Sequence, residues 1–429
     1  MEVAVRCDRR LPDGTVILPD DIAAASLRLG CNSAALQQVR PGRAGSIVLA
    51  SDLWRQLSVP FDGMSLNLHA GDGDEVILGP SVAVLYAGKA SSISTTTARE
   101  RLALFFGDRT AEAGLYALAF DESIDWETGL MDGFVLNGTS AVPAQFPIPA
   151  AVHLRWAILR DVIEALRERT GGKVFNWVRN MSKWQFYSLL SPVPELTEYL
   201  PETRVLRSFV DLAAMLVRHE SVFVKQVFGI RGIGSARVRR IPEGFELAYL
   251  QNGAMAAATL PRVNELMEAI RATLGTGKLI VQQGLDLTGA RGRRLDFRVV
   301  AVRDGAGGWR CALRHAKVAP DETLVFMNLA NGATDSDMLE ALEQHCGLAP
   351  AEAEQTADAM TALALRTAEV LAGPYHPLGI LGIDLARDMA TGRVYLLEAN
   401  TVPGWSYPEP VETALARSMA AYALSLAAR

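Results

Sequence analysis

The chain of 429 residues is long enough for two to four domains, and with 49% apolar and 21% charged residues it has the composition of a globular protein, not a disordered one. A net charge of −6 argues against nucleic acid as the main partner, because a protein that neutralises many phosphates is basic overall. Four cysteines, Cys7, Cys31, Cys311 and Cys346, form no C-x-x-C pair and are too sparse for a disulfide scaffold, which points to a reducing compartment. The N-terminus lacks the apolar run of a signal peptide. The longest uncharged stretch, Phe134 to Leu154, holds Pro143, Pro147 and Pro149 and is no membrane helix. The expectation is a cytoplasmic protein with no membrane partner.

The first ~85 residues read as β-rich. Short apolar runs at Thr15–Leu18, Ser46–Ala50 and Ser65–His69 are separated by the turn dipeptides Asp13-Gly14, Pro41-Gly42 and Asp62-Gly63. From Ser81 the texture changes to α/β. Ser81–Tyr86, Leu115–Phe120, Ala151–Leu154 and Lys173–Phe175 read as strands, Thr97–Phe106 and Ile158–Arg169 as helices, and the alternation predicts a parallel layer. Further on, Ser221–Val224 is a strand ending in Lys225, followed by the Gly-rich loop from Gly229 to Gly234. Asn264–Leu274 is a helix, Leu279–Gln283 and Leu295–Val302 are strands, and Ala349–Leu371 is a long Ala-rich helix. Gly379–Leu385 and Val394–Glu398 are two apolar runs joined by a turn, which predicts a hairpin, and a short amphipathic helix closes the chain after Pro410.

That hairpin carries the strongest chemical signal. Asp384 lies inside one apolar run, Glu398 ends the other, and Asn400 follows two residues on. A turn near position 391 sets Asp384 opposite Glu398, with Asn400 on the same face. Two carboxylates and an amide oxygen suit Mg²⁺ or Mn²⁺, although acids beside a hairpin are also what a solvated turn presents. Lys225 before a Gly-rich loop containing Arg231 is a weaker sign of an anion site. The glycine order is neither the dinucleotide fingerprint nor a P-loop. Arg298 in Asp296-Phe297-Arg298 alternates with apolar residues and is placed to meet an oxyanion, unless it is simply an edge-strand ion-pair partner. Lys183, Arg155 and Lys317 taken singly read as structural. The six histidines form no H-E-x-x-H and there is no G-x-S-x-G, so zincin and nucleophile-elbow chemistry are excluded.

The order Lys183, Lys225 with its glycine loop, Val281-Gln-Gln-Gly-Leu285, Asp296-Phe-Arg298, Asp384, Glu398-x-Asn400 resembles the ATP-grasp superfamily, the fold of D-alanine–D-alanine ligase and glutathione synthetase. The segment from Lys173 to Thr203, with Pro149–Arg155 and Leu78-Gly-Pro80, is similar to the YheC/YheD family, often labelled endospore-coat-associated. The resemblance implies an α/β (α+β) architecture: a small β-rich N-terminal domain at 1–80, a Rossmann-like pre-ATP-grasp domain at 81–180, and an ATP-grasp domain at 181–429. Within the last, a lid subdomain covers about 200–281 and a metal-binding subdomain about 282–429.

It further implies that Lys183 and Lys225 hold ATP phosphates, and that Gly229, Arg231, Gly232 and Gly234 form a flap over them. Gln282, Gln283, Gly284 and Leu285 would be the adenine hinge, Arg298 and Lys317 catalytic, and Asp384, Glu398 and Asn400 the ligands of Mg²⁺ or Mn²⁺. Arg155 and Arg179 are candidates for a substrate carboxylate. The implied activity is an ATP-dependent carboxylate–amine ligase working through an acyl phosphate, on a small-molecule or peptide acid and an amine nucleophile, with a homodimer as the implied assembly. The alternatives are a coat-type structural or regulatory protein with a degenerate nucleotide site, and a phosphotransferase on the same fold. The chain departs from the family pattern at Gln226, where proline is common, at Ile230 for a serine, at Lys317 for an arginine, and at Gln282 and Gln283 for acidic residues.

Overall fold

The computed structural model describes residues 1–155, 158–178, 181–228, 234–251, 254–320, 332–404 and 407–428. Four sheets organise the described residues. The first has eight strands in the order Asn32–Ala35, Ser26–Leu29, Glu75–Gly79, Met64–Ala70, Glu2–Cys7, Ser46–Leu49, Thr15–Pro19 and Gln38–Gly42. Alternate residues of these strands, such as Val3, Val5, Leu27, Leu29, Ile47 and Leu49, enter one apolar core.

The second sheet has six strands in the order Ser140–Pro147, Leu130–Asn137, Leu115–Asp125, Ser81–Tyr86, Ala151–Leu154 and Val174–Phe175. Its last four strands run parallel, as the buried apolar runs predict. Its first three form an antiparallel meander, which corrects the expectation of a purely parallel layer. Gly133, Pro143 and Pro147 interrupt the strand pattern there, so the sequence shows no meander. Ser140–Pro147 is an edge strand, the one place in a sheet where proline's missing donor costs little.

The third and fourth sheets are wholly antiparallel. The third runs Thr203–Leu206, Leu279–Gln283, Ser221–Gln226, Ser235–Ile241, Gly244–Gln251 and Ala254–Leu260. One face carries Val222, Val224, Ala236, Val238 and Val281 onto the helices Phe209–Arg218 and Val263–Leu274, which contribute Leu212, Met215, Leu266 and Ile270. The other face is left for a site. The fourth sheet runs Thr334–Asp337, Trp309–Val318, Leu295–Arg303, Ile380–Arg387 and Val394–Asn400.

The Ala-rich helix Pro350–Ala372 lies against one side of the fourth sheet, presenting Ala353, Ala357, Met360, Ala364, Ala368 and Leu371 at helical spacing. Alanine on that stripe lets helix and sheet approach closely. The final helix, Glu409–Ala427, has 19 residues and is not the short element expected. It is long because Leu415, Met419, Tyr422 and Leu426 pack against both the second sheet and Val300, Val302 and Ile380 of the fourth. No helix among the described residues is long and apolar enough to cross a membrane.

The second and fourth sheets are also pinned by one polar side chain. Asn176 is 1% exposed and sits at φ 57°, a left-handed conformation that asparagine tolerates better than most residues. Its Nδ2 donates to the carbonyls of Ile380 (2.8 Å) and Thr401 (2.6 Å), and its Oδ1 accepts from the N–H of Gly379 (2.8 Å) and Ile380 (3.1 Å). Asn176→Ala leaves these buried backbone groups without partners. The expected loss is about 2–4 kcal/mol, given roughly 1–3 kcal/mol for each unsatisfied buried group. A drop of several degrees in Tm by calorimetry checks this; an unchanged Tm would contradict the role given to Asn176.

Candidate functional site

The fourth sheet places a row of charge across its face turned from the Ala-rich helix. Asp296, Arg298, Lys317 and Asp384 alternate with core residues Leu295, Phe297 and Val318, so the strand period puts all four on the same side. Register then pairs them. Asp296 lies opposite Lys317, and Arg298 opposite Asp384, which in turn lies opposite Glu398. The hairpin geometry read from the turn position is therefore present.

Arg298 grips Asp384 with both arms of its fork, Nε to Oδ1 at 2.5 Å and Nη2 to Oδ2 at 2.6 Å. Lys317 Nζ stands 3.2 Å from Asp296 Oδ1 and 3.6 Å from Asp384 Oδ1. Burial favours the neutral acid at Asp384, but Arg298 and Lys317 hold it below the ordinary carboxylate range. Burial pushes the Asp296 carboxyl upward, against the pull of Lys317. Burial also works against the charge of Arg298, yet Asp384 leaves that guanidinium more firmly protonated than usual. On the adjoining strand, His315 Nδ1 is 2.7 Å from Asp335 Oδ1, and its ring meets that of Tyr407 edge-on at 6.1 Å.

A second group faces this row from the third sheet. Lys225 lies within its strand, which continues to Gln226, on the face away from the apolar core. Its Nζ donates to Gln282 Oε1 at 2.7 Å, and Gln282 Nε2 donates to Thr203 Oγ1 at 2.9 Å. Lys183 opens the helix Lys183–Leu190, whose start is fixed by a capping box between Ser182 and Gln185. Its N–H donates to the carbonyl of Val227, tying the helix to the Lys225 strand. A cation in the first turn opposes the helix dipole, and here Glu398 stands 3.5 Å from Lys183 Nζ. Burial, and then the charge of Lys183, lowers the Lys225 ammonium to about 8, against the opposing effect of Glu398. Two lysines thus act on one carboxylate, Lys183 by an ion pair and Lys225 through its charge.

The implied metal ligands fit a hard cation by donor type. Glu398 is 44% exposed at its side chain, and Asn400 Oδ1 accepts the Val402 N–H at 2.9 Å with a second lone pair remaining. Asp384 belongs to the same face, but Arg298 holds both of its oxygens. Among the described residues no three His, Cys, Asp or Glu converge as a metal cluster.

The hinge expectation narrows. The N–H groups of Gln283 and Gly284 donate to the carbonyls of Glu202 and Ser221, each at 2.8 Å, so those two donors are spent within the sheet. Gln282 contributes its side chain to the Lys225 group. Leu285 is buried with Ala386 and Tyr395. Gly234, at φ 75°, packs where a Cβ would meet the Gln226 side chain at 2.4 Å, and its carbonyl accepts the Gln226 N–H. Gly229, Arg231, Gly232 and Arg179 lie outside the described residues. Arg155 lies beside Tyr86 and lines a small cavity with Asn176, Thr401, Val402 and Pro403, next to Asn400, and burial lowers its pKa. Asn176, Asp296 and Thr203 were not among the candidate residues. Asp296 alone had a signal, its two-residue spacing from Arg298.

The Lys225 ammonium gives a pH test. Its pKa falls from 10.5 when unfolded to about 8 when folded, so between these values the unfolded chain binds more protons and its contribution to stability rises with pH. Anion binding follows the opposite course, because it needs the charged form. Affinity for a polyanion such as pyrophosphate should fall as pH passes 8, and Lys225→Met should remove most of that dependence; titration calorimetry from pH 7 to 9.5 measures it, and a flat profile in the wild type would contradict it.

Comparison with known proteins adds the following. A family model described as YheC/D like ATP-grasp matches residues 171–427. The endospore coat-associated protein YheD of Bacillus subtilis (strain 168) is 23% identical over 375 residues, which span 84% of this chain and 80% of that protein. Among solved structures, the VanG D-Ala:D-Ser ligase from Enterococcus faecalis is 12% identical with a TM-score of 0.46, covering 81% of this chain and 99% of that one. The D-cycloserine synthetase DcsG is 16% identical with a TM-score of 0.45, covering 79% and 99%.

Proposed function

The chain belongs to the YheC/D-like ATP-grasp family, and from that premise we propose that it is an ATP-dependent carboxylate–amine ligase. The observation that carries this reading is the convergence of Lys183 and Lys225 on Glu398, facing the Asp296–Lys317 and Arg298–Asp384 pairs. A coat protein with no chemistry to perform has little need to bury so many charges.

In the reaction proposed, a carboxylate oxygen of the acid attacks the γ-phosphorus of ATP. The new C–O–P linkage forms as the bond to the β-phosphate oxygen breaks, and ADP leaves. The amine nitrogen then attacks the acyl carbon, the C–N bond forms, and inorganic phosphate departs with the proton the amine gives up. Lys183 and Lys225 would offset the charge of the polyphosphate. Arg298 commits Nε and Nη2 to Asp384, which fixes the plane of its fork and leaves Nη1 for an oxygen that gains charge in the transition state. Lys317, held between two carboxylates, would act as a point charge, not a planar fork. Glu398, Asn400 and Asp384 would hold Mg²⁺ or Mn²⁺, whose contribution is to neutralise phosphoryl oxygens. The acid is a small molecule or peptide, the nucleophile is an amine, and a homodimer is the assembly proposed by analogy with such ligases.

A spore-coat-like structural or regulatory protein with a degenerate nucleotide site is the second reading. The hold of Arg298 on both oxygens of Asp384 favours it, since that carboxylate must be shared before it can take a metal. Thermal unfolding separates the two. A ligand at about 100 times its Kd stabilises by roughly 2.7 kcal/mol, so Mg·ATP should raise Tm by a few degrees in the wild type and much less in Glu398→Ala. ADP release on adding mixed acids and amines should follow. No shift with ATP, Mg²⁺ or both would overturn the ligase reading in favour of the degenerate one. Phosphate recovered on a hydroxyl, not as free phosphate, would instead identify a phosphotransferase.

A further inference from the structure

One buried charge takes no part in the pairs described above. Arg294 is 9% exposed, and its enclosed Nε has no hydrogen-bond partner. Among the described residues its guanidinium makes no ion pair. Arginine is rarely buried unless paired, and it cannot shed its proton to relieve the cost. A fold that keeps such a group has a use for it that the protein alone does not satisfy.

Its position says what that use is. Arg294 bridges to Thr288 in extended backbone, its carbonyl accepts the Ala319 N–H at 2.9 Å, and the strand Leu295–Arg303 follows directly. By the two-residue period Arg294, Asp296 and Arg298 share one face, the charged face of the site. The neighbouring Leu295 N–H donates to the carbonyl of Leu287, so Arg294 lies against the segment that follows Gln282–Leu285. The cation whose charge reaches it from the third sheet is Arg237. That residue sits opposite Phe223 in the strand register, on the face shared with Lys225. Arg237 gives Nη2 to Glu246 at 3.1 Å, while its own enclosed Nε is also without a partner. The carboxylate whose charge reaches Arg294 is Asp286, but Asp286 Oδ1 accepts the Thr288 N–H at 3.0 Å. Burial and then the charge of Arg237 act against protonation of Arg294, so the two guanidiniums are close enough to repel.

We propose that Arg294, together with Arg237, grips the oxygen acceptors of a bound nucleoside polyphosphate where the segment after Gln282–Leu285 meets the third sheet. The proposal rests on reading the cleft as a nucleotide site. Two donor-only groups from two different sheets are joined by an anionic, acceptor-rich ligand, and in its absence they push apart. Arg294 is therefore a binding residue whose charge opposes the stability of the unliganded fold.

The test uses Arg294→Met and Arg294→Lys in the full chain, with two readouts. Without nucleotide, Arg294→Met should raise Tm, because it removes a buried unpaired charge and fills the same space with apolar atoms. With Mg·ATP, its Kd by titration calorimetry should rise on the order of tenfold or more, the usual weight of a hydrogen bond to a charged group, and Arg294→Lys should keep part of the affinity. A lowered Tm or a failure to fold in Arg294→Met would make the residue structural and overturn the proposal. Wild-type binding of Mg·ATP with an unchanged Kd in Arg294→Met overturns this assignment alone. No binding by the wild type overturns the nucleotide reading of the cleft and this assignment with it.

Discussion

The bidentate contact between Arg298 and Asp384 is the interaction on which the site depends. Both residues are on interior strands of the fourth sheet, where Leu295–Arg303 and Ile380–Arg387 pair with each other. Neither charge is tolerable alone at that depth, since breaking a buried pair leaves one ion unpaired. The strand register is thereby held to a single setting: a slip of one residue would turn Arg298 and Asp384 into the apolar layer and bring Phe297 and Ile383 out of it. The contact also needs space beside it. A Cβ at Gly382 would lie 3.1 Å from the Pro403 side chain and 3.6 Å from Arg298 Cδ and Nε, so the glycine lets Pro403 and the arginine stem pass close together.

From that pair outward the charges are arranged unevenly. On the fourth sheet they nearly cancel, with Lys317 shared by Asp296 and Asp384. Elsewhere around the cleft they do not. Lys183, Lys225, Arg237 and Arg294 are opposed by Glu398, Glu246 and a more distant Asp286. The local excess is positive although the whole chain carries −6. Net charge speaks for long-range attraction to extended polyanions; it says nothing against the proposed pocket for one polyphosphate, whose charge residues of both sheets would meet.

What could be read from the sequence follows from how local each signal is. The hairpin at 379–398 was legible because two apolar runs flank a turn, and that alone brings Asp384 opposite Glu398. Arg298 was legible as an alternating strand residue, but its partner was not, since pairing with Asp384 depends on strands 86 positions apart in sequence meeting in one register. Asn176 gave no signal: a single asparagine after Val174-Phe175 looks like the end of a strand, and its four hydrogen bonds reach segments about 200 residues away. Arg294 was concealed by company. It follows Arg291, Gly292 and Arg293 in sequence, and only burial distinguishes it from its neighbours. The antiparallel meander of the second sheet was missed because its edge strand carries two prolines, which sequence patterns read as a break.

The same facts set the balance between stability and use. The fold affords unpaired charge in the cleft because its apolar layers lie elsewhere, with the Ala-rich helix behind the fourth sheet and the final helix wedged against the second. Strain of this kind gathers at functional sites, where the group that is costly in the empty protein is the one that meets the ligand. A sheet face evolved only for packing would neutralise Lys225 and Arg294 with a nearby acid or replace them by apolar residues. Gln282 is uncharged beside Lys225, and Asp286 spends an oxygen on a turn. At Gln282 a glutamate would have cancelled the charge of Lys225, and among the described residues Asp286 makes no ion pair with Arg294, so positive charge is left over in the cleft.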